Sequence, residues 1–154
     1  MSARLSFRMG LGLHVLVGMV AIAAAGVRVK LESVPQPAVK AVQDRFAKAV
    51  IRYVDRETNG DFEFAMKEGD RLFDVGVSAM GKLINIKEEI DEEKLPKLVK
   101  QGLLKKYPTA KVVETEKVIV IADRKERVTY EIKAKAEKKT FEIVLDEGGK
   151  EINE

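Results

Sequence analysis

The feature that most constrains this chain is a pattern that occurs twice. Val34, Pro35, Val42, Phe46 and Ala49 each match a residue 61 positions later: Leu95, Pro96, Leu103, Tyr107 and Ala110. Further on, Phe62, Phe64, Phe73, Val75, Val77, Gly81 and Lys82 match Tyr130, Ile132, Phe141, Ile143, Leu145, Gly149 and Lys150 at an offset of 68. Internal self-similarity at a fixed period marks a repeated structural unit. The seven-residue difference falls in the first hairpin of the second copy, where insertions cost little chain entropy.

Each copy reads the same way. Val34, Ala38, Val42, Phe46 and Ala49 recur at spacings of four and three, which puts them on one face of a helix opened by Pro35. Leu95, Val99, Leu103 and Tyr107 do the same, with Pro108 as the stop and Gly102 as a weak point inside the helix. After each helix come runs in which apolar and polar residues alternate, the signature of half-buried strands. The pair Asn59-Gly60 signals a two-residue hairpin turn. The expected fold class is therefore α+β: two tandem α-β-β-β units, each a helix packed on an antiparallel sheet, sharing one core. Gly26 to Ser33 reads as a polar lead-in, and the acidic run Lys87 to Lys94 as the link between units.

The N-terminus stands apart. Arg4 and Arg8 precede an uncharged stretch from Met9 to Val27 that ends in Ala23-Ala24-Ala25. A basic start, an apolar middle and small residues at the end describe a secretory signal peptide cleaved near Ala25. Uncleaved, the same stretch is borderline for a membrane anchor. The expected divisions are 1–25 as signal, 26–90 as the first unit and 91–154 as the second, with a periplasmic or secreted destination. Two of the 28 Lys and Arg residues lie in the signal, leaving 26 against 25 acidic residues. Positive and negative side chains alternate, so the concentrated basic face that nucleic-acid binding needs is missing.

Composition also narrows the chemistry. The chain has no cysteine, and its one histidine, His14, lies in the signal. Disulfides, thiolate catalysis, Ser-His-Asp machinery and His- or Cys-ligated zinc are excluded together. The acids alternate with core residues, so they point outward rather than into a cleft that would raise a catalytic carboxylate. The expectation is no enzyme and no cofactor. Asp55, Glu57, Asn59, Gly60 and Asp61 resemble the start of a calcium loop, but the twelfth position is Met66 where a bidentate glutamate is required. The acids Glu88, Glu89, Asp91, Glu92 and Glu93 are placed where a following helix N-terminus favours negative charge. Phe62, Phe64, Phe73, Tyr130 and Phe141 alternate too strictly for a ligand pocket and are expected in the core.

A helix opened by Leu95-Pro96 and closed by Tyr107-Pro108, strands with Tyr130-Glu131 and Phe141, then Asp146, Gly149 and Lys150 together resemble the PepSY-like family. That group includes domains related in fold to the β-lactamase-inhibitor protein and to the propeptides of secreted metalloproteases. The first half carries the pattern less fully, with Ala47 at the place of Pro108 and Ser78 at that of Asp146. The resemblance implies an exported, non-catalytic module that binds or inhibits another envelope or secreted protein. The alternative is a small-ligand or metal-binding envelope module. The side chains expected on the polar outer face of the strands are Glu63, Lys67, Asp74, Glu131, Lys133, Lys135 and Glu142, the candidate partner surface.

Overall fold

The computed structural model describes residues 26–152 with the exception of 138. The proposed signal peptide lies outside the described residues. Within them no helix is long and apolar enough to cross a membrane.

The strands are β1 (Val27–Val29), β2 (Val50–Arg56), β3 (Phe62–Glu68), β4 (Arg71–Val77), β5 (Leu83–Glu89), β6 (Lys111–Ala122), β7 (Lys125–Ala136) and β8 (Lys139–Asp146). They form one antiparallel sheet in simple sequence order. Two helices, α1 (Gln36–Arg45) and α2 (Lys97–Lys106), lie on it, each preceded by one turn of 3-10 helix.

This corrects the expected architecture. Two separate helix-on-sheet units are not present; a single eight-stranded sheet runs through the chain. The join is made by residues read as connectors. The supposed link begins as the end of β5, whose residues Asn85 to Glu89 pair with Val120 to Glu116 of β6. The supposed lead-in supplies β1, paired through Val27, Arg28 and Val29 to β2. LINIKEE alternates poorly because both of its faces are half covered, and three residues are too few for a periodicity to show. The Asn59-Gly60 hairpin forms with a longer loop than expected. Glu57 N–H donates to Asp61 C=O at 2.9 Å, and Gly60 takes the positive φ of 89°.

Parity in the register sorts side chains onto two faces. On the helix face a direct line of partners runs Phe64, Val75, Ile86, Ile119, Val128 across five strands. Two clusters pack there, and this corrects the single shared core. One joins Val34, Ala38, Val39 and Val42 of the α1 region to Phe64, Met66, Phe73, Val75, Val77 and Ile86. The other joins Leu95, Val99 and Leu103 to Tyr130, Ile132, Ala134, Ile143 and Leu145. Phe62 and Phe141 also pack there, so the alternating aromatics lie on the core side. The long hairpin β6–β7 ties the clusters together: Ile119 and Ile121 pack on the first, and Glu126 pairs with Arg45 at the end of α1 at 3.0 Å. Its turn places Asp123 and Arg124 at positive φ (49° and 61°), a geometry that usually takes Asn-Gly.

The helix starts follow their prolines. Pro35 and Pro96 are the residues before the first turn, so their missing N–H costs nothing. Phe46 and Tyr107 close the helices and stack on strand aromatics, Phe46 on Phe73 at 5.0 Å and Tyr107 on Phe141 at 4.1 Å between ring centres. The turns after β4 and β8 are also built alike. Gly81 donates to Ser78 C=O and Gly149 to Asp146 C=O, both at 2.9 Å with positive φ.

One buried polar atom breaks the apolar rule. Thr115 on β6 is 2% exposed, and its Oγ1 lacks a hydrogen-bond partner among the described residues. Its backbone carbonyl accepts from Ile90, and its register partner is Ile132. An orphan hydroxyl carries a desolvation cost with nothing gained in return. Thr115→Val, nearly the same shape, is expected to stabilise the fold by about 1 kcal/mol, read as a higher urea midpoint at unchanged slope.

Candidate functional site

Among the described residues no helix covers the face opposite α1 and α2, and by register that face carries all seven residues expected on the outer surface of the strands. Register places Glu63 opposite Asp55 and Gly76, and Asp74 between Ala65 and Lys87. Glu131 faces Glu116, and Lys133 lies between Glu114 and Glu142. Lys135 follows between Lys111 and Thr140. The seven do not form one cluster. Glu63 and Asp74 sit on the β3–β4 half, with Lys67 at the end of β3. Glu131, Lys133, Lys135 and Glu142 lie on the β7–β8 half. Between them are residues that sequence reading did not select: Asn85 and Lys87 of β5, and Glu116 and Val118 of β6. They were missed because the pairing of β5 with β6 was not foreseen.

The middle of this face is a trough. Ala65, Val118 and Thr129 are 3% exposed, although they point away from both helices. Gly76, also in the middle, has no side chain, and the Asn85 carboxamide occupies the place a Cβ would take, accepting from Gly76 N–H at 3.2 Å. One cross-strand row runs Ala65, Asp74, Lys87, Val118, Thr129, so sheltered short side chains alternate with longer charged ones and leave a shallow trough beside them. At its β2–β4 end lies a depression of about 130 Å³, lined among others by Tyr53, Ala65, Leu72, Asp74, Lys87 and Glu116. The bulge at Arg52 between Ile51 and Tyr53 adds bend there. At this end apolar side chains are displayed: Val50 is 67% exposed, Leu72 50% and Tyr53 36%. Arg28 stacks over the Tyr53 ring at 3.5 Å and pairs with Asp55, so β1 buttresses the tyrosine.

The walls are acidic and poorly compensated. Half-burial raises the carboxyl pKa of Glu63, and neighbouring Asp74 raises it further. Burial likewise raises Asp74 against the opposing pull of Lys87 and Arg52. Glu116 is raised by burial, with Glu131 and Glu114 adding to the effect and Lys87 opposing it. Lys87 is thus the common counter-charge of three carboxylates, yet it comes within ion-pair distance of none of them. A carboxyl whose folded pKa lies above its unfolded value costs stability as pH rises from the ordinary carboxylate range through the raised value. Acidification from neutral pH toward 5 should therefore stabilise this part of the protein. The variant Glu63→Gln/Asp74→Asn/Glu116→Gln is expected to be more stable at pH 7, by about 0.5 kcal/mol or less per site because the groups remain half exposed. Its thermal midpoint should also vary less between pH 5 and 7.

Among the described residues there is no group of three or more His, Asp or Glu side chains that could hold a metal ion. The acids of the early hairpin are used locally: Asn59 Oδ1 accepts from Asp61 N–H at 3.0 Å and caps the turn. In the former acidic link, Glu88 pairs with Arg71 at 2.9 Å and Asp91 with Lys94 at 3.0 Å. A second cavity, of about 310 Å³, lies on the other side of the sheet, bounded by Gly102, Lys105, Lys106, Ile143 and Gly149.

The sequence matches no protein-family model and no curated protein. Solved structures do match. A BLIP-like protein from Bacteroides fragilis superposes with a TM-score of 0.62 at 15% identity, covering 77% of this chain and 82% of the other. A DUF2874 family protein from Bacteroides ovatus gives a TM-score of 0.67 at 12% identity, with 77% and 84% covered. A protein from Bacteroides eggerthii, provisionally described as periplasmic, gives 0.63 at 9% identity, with 77% and 86% covered. Identities this low speak for the fold alone: what this chain shares with those proteins is a BLIP-like fold.

Proposed function

We propose that the protein is an exported, non-catalytic binding module that docks another envelope or secreted protein on its open sheet face. The observation that carries this reading is the trough: a bare face with a sheltered floor, displayed apolar side chains at one end and acids held against their preference along its walls. Groups that cost stability in the free protein are commonly groups kept for a partner. The BLIP-like fold of the neighbours fits such a role, and a leader cleaved near Ala25 would deliver the chain to the periplasm or beyond. A duplicated PepSY-like unit, 26–90 and 91–154, is part of the same proposal. Its support is the pair of sequence offsets together with the matching glycine turns at Gly81 and Gly149.

The test is affinity capture with immobilised 26–154 against envelope and secreted fractions of its source. One protein retained at stoichiometric amount is expected. Reversing Glu63, Asp74, Glu131 and Glu142 to lysine should abolish retention with the fold intact. Reversing Lys40, Lys97 and Lys100 on the helix side should not. Retention that follows the helix-side changes instead would refute the docking face.

A further inference from the structure

The trough differs in chemistry along its length, and that difference says what fits it. Ala65, Val118 and Thr129 are sheltered low points, with Asp74 and Lys87 standing between Ala65 and Val118 in the same cross-strand row. Its walls carry Glu63, Asp74 and Glu116 from three different strands, none in an ion pair among the described residues. One ammonium, that of Lys87, serves all three. At the end of the trough stand exposed Val50, Tyr53 and Leu72. On the strength of the docking role above, we infer that the trough receives a protruding segment of a partner protein carrying a lysine or arginine side chain flanked by apolar ones.

The cation must be a side chain and not a metal ion. Calcium gathers six to eight oxygens within about 2.6 Å, whereas these carboxylates are spread over strands about 4.8 Å apart and converge on no common point. A long cationic side chain suits that spacing, because its stem covers apolar surface while its head reaches the acids. The acidic walls, only partly offset by Lys87 and Arg52, supply the charge complementarity, and the Tyr53–Leu72 end supplies area for the flanking apolar residues. Charged walls also steer a cationic segment during encounter.

A blocked nonapeptide of alternating leucine and lysine is the probe, with its leucine–glutamate counterpart as control. Both are titrated at physiological salt while backbone amide signals of 26–154 are followed by NMR. The lysine peptide is expected to shift signals of β3 to β6 around Ala65, Asp74, Lys87 and Val118. The Glu63→Gln/Asp74→Asn/Glu116→Gln variant should bind it at least tenfold more weakly, and Leu72→Ala several-fold more weakly. Equal affinity of that variant, or the glutamate peptide shifting the same signals as strongly, overturns the cationic assignment while leaving docking on the sheet face standing. No shift at millimolar lysine peptide overturns it too, and shifts confined to the helix side overturn the docking face with it.

Discussion

Truncating Phe64 to alanine is expected to destabilise the protein by about 4 kcal/mol. Phe64 is fully buried in the first cluster, and its strand neighbours Val54 and Val75 are buried as well. Removing the ring leaves a void that a sheet paired on both sides of β3 cannot close by moving inward. A domain of this size has a total stability of about 5–15 kcal/mol, so the loss approaches the whole. The informative part is the form of the transition. Ile132, fully buried in the second cluster, should cost about 3 kcal/mol on truncation to alanine. Because β5 and β6 join the halves and Ile119 and Ile121 reach across, both variants should shift one cooperative transition. Urea unfolding followed by far-UV circular dichroism and by tyrosine fluorescence checks this. Two separated transitions, with Phe64→Ala moving one and Ile132→Ala the other, would show that the halves unfold independently despite the common sheet.

The second large effect runs against intuition. Gly102 lies inside α2, where glycine is about 1 kcal/mol worse than alanine in an exposed helix. Gly102→Ala should therefore stabilise if helix propensity decided the matter. The structure predicts the reverse. A Cβ on Gly102 would stand 2.8 Å from the carbonyl carbon of Gly149 and closer still to its oxygen. The turn cannot easily retreat, since Gly149 is itself at φ +77° with the Leu98 carbonyl against it. Helix and turn are in backbone-to-backbone contact, and overpacking there is expected to cost about 2 kcal/mol net. Gly148→Ala provides the control: its Cβ would meet little beyond the Asp146 carboxylate at 3.3 Å, so its midpoint should hardly move. Thermal or urea denaturation of the two variants decides between propensity and packing.

Both results bear on the site. The floor of the trough is the back of the strands whose front is held by these two clusters. Stability lost at Phe64 or Gly102 thus loosens the surface on which Ala65 and Thr129 stand. Binding assays on open-face variants therefore need their folding measured alongside.

What the sequence determined by itself was local. Proline before each helix, the spacing of Val42 and Phe46 or of Leu103 and Tyr107, and the alternation through Phe62–Met66 and Tyr130–Ala134 depend on backbone sterics and on burial of one side. These act over a few residues and can be read from a few residues. The same alternation put Glu63, Lys67, Asp74, Glu131, Lys133, Lys135 and Glu142 on the side away from the core. Tertiary structure decided which strands become neighbours. LINIKEE has no clean alternation, and its role follows from pairing with a strand some thirty residues away, a long-range choice that no local pattern encodes. That choice fused two expected units into one sheet and brought Lys87 and Glu116 between the two groups of foreseen residues. The packing of α2 against the turn after β8 made Gly102, a flaw by propensity, into a requirement. The trough spans both halves because that pairing sets Lys87 of β5 beside Val118 of β6, and burial by neighbours is a property of the assembled sheet.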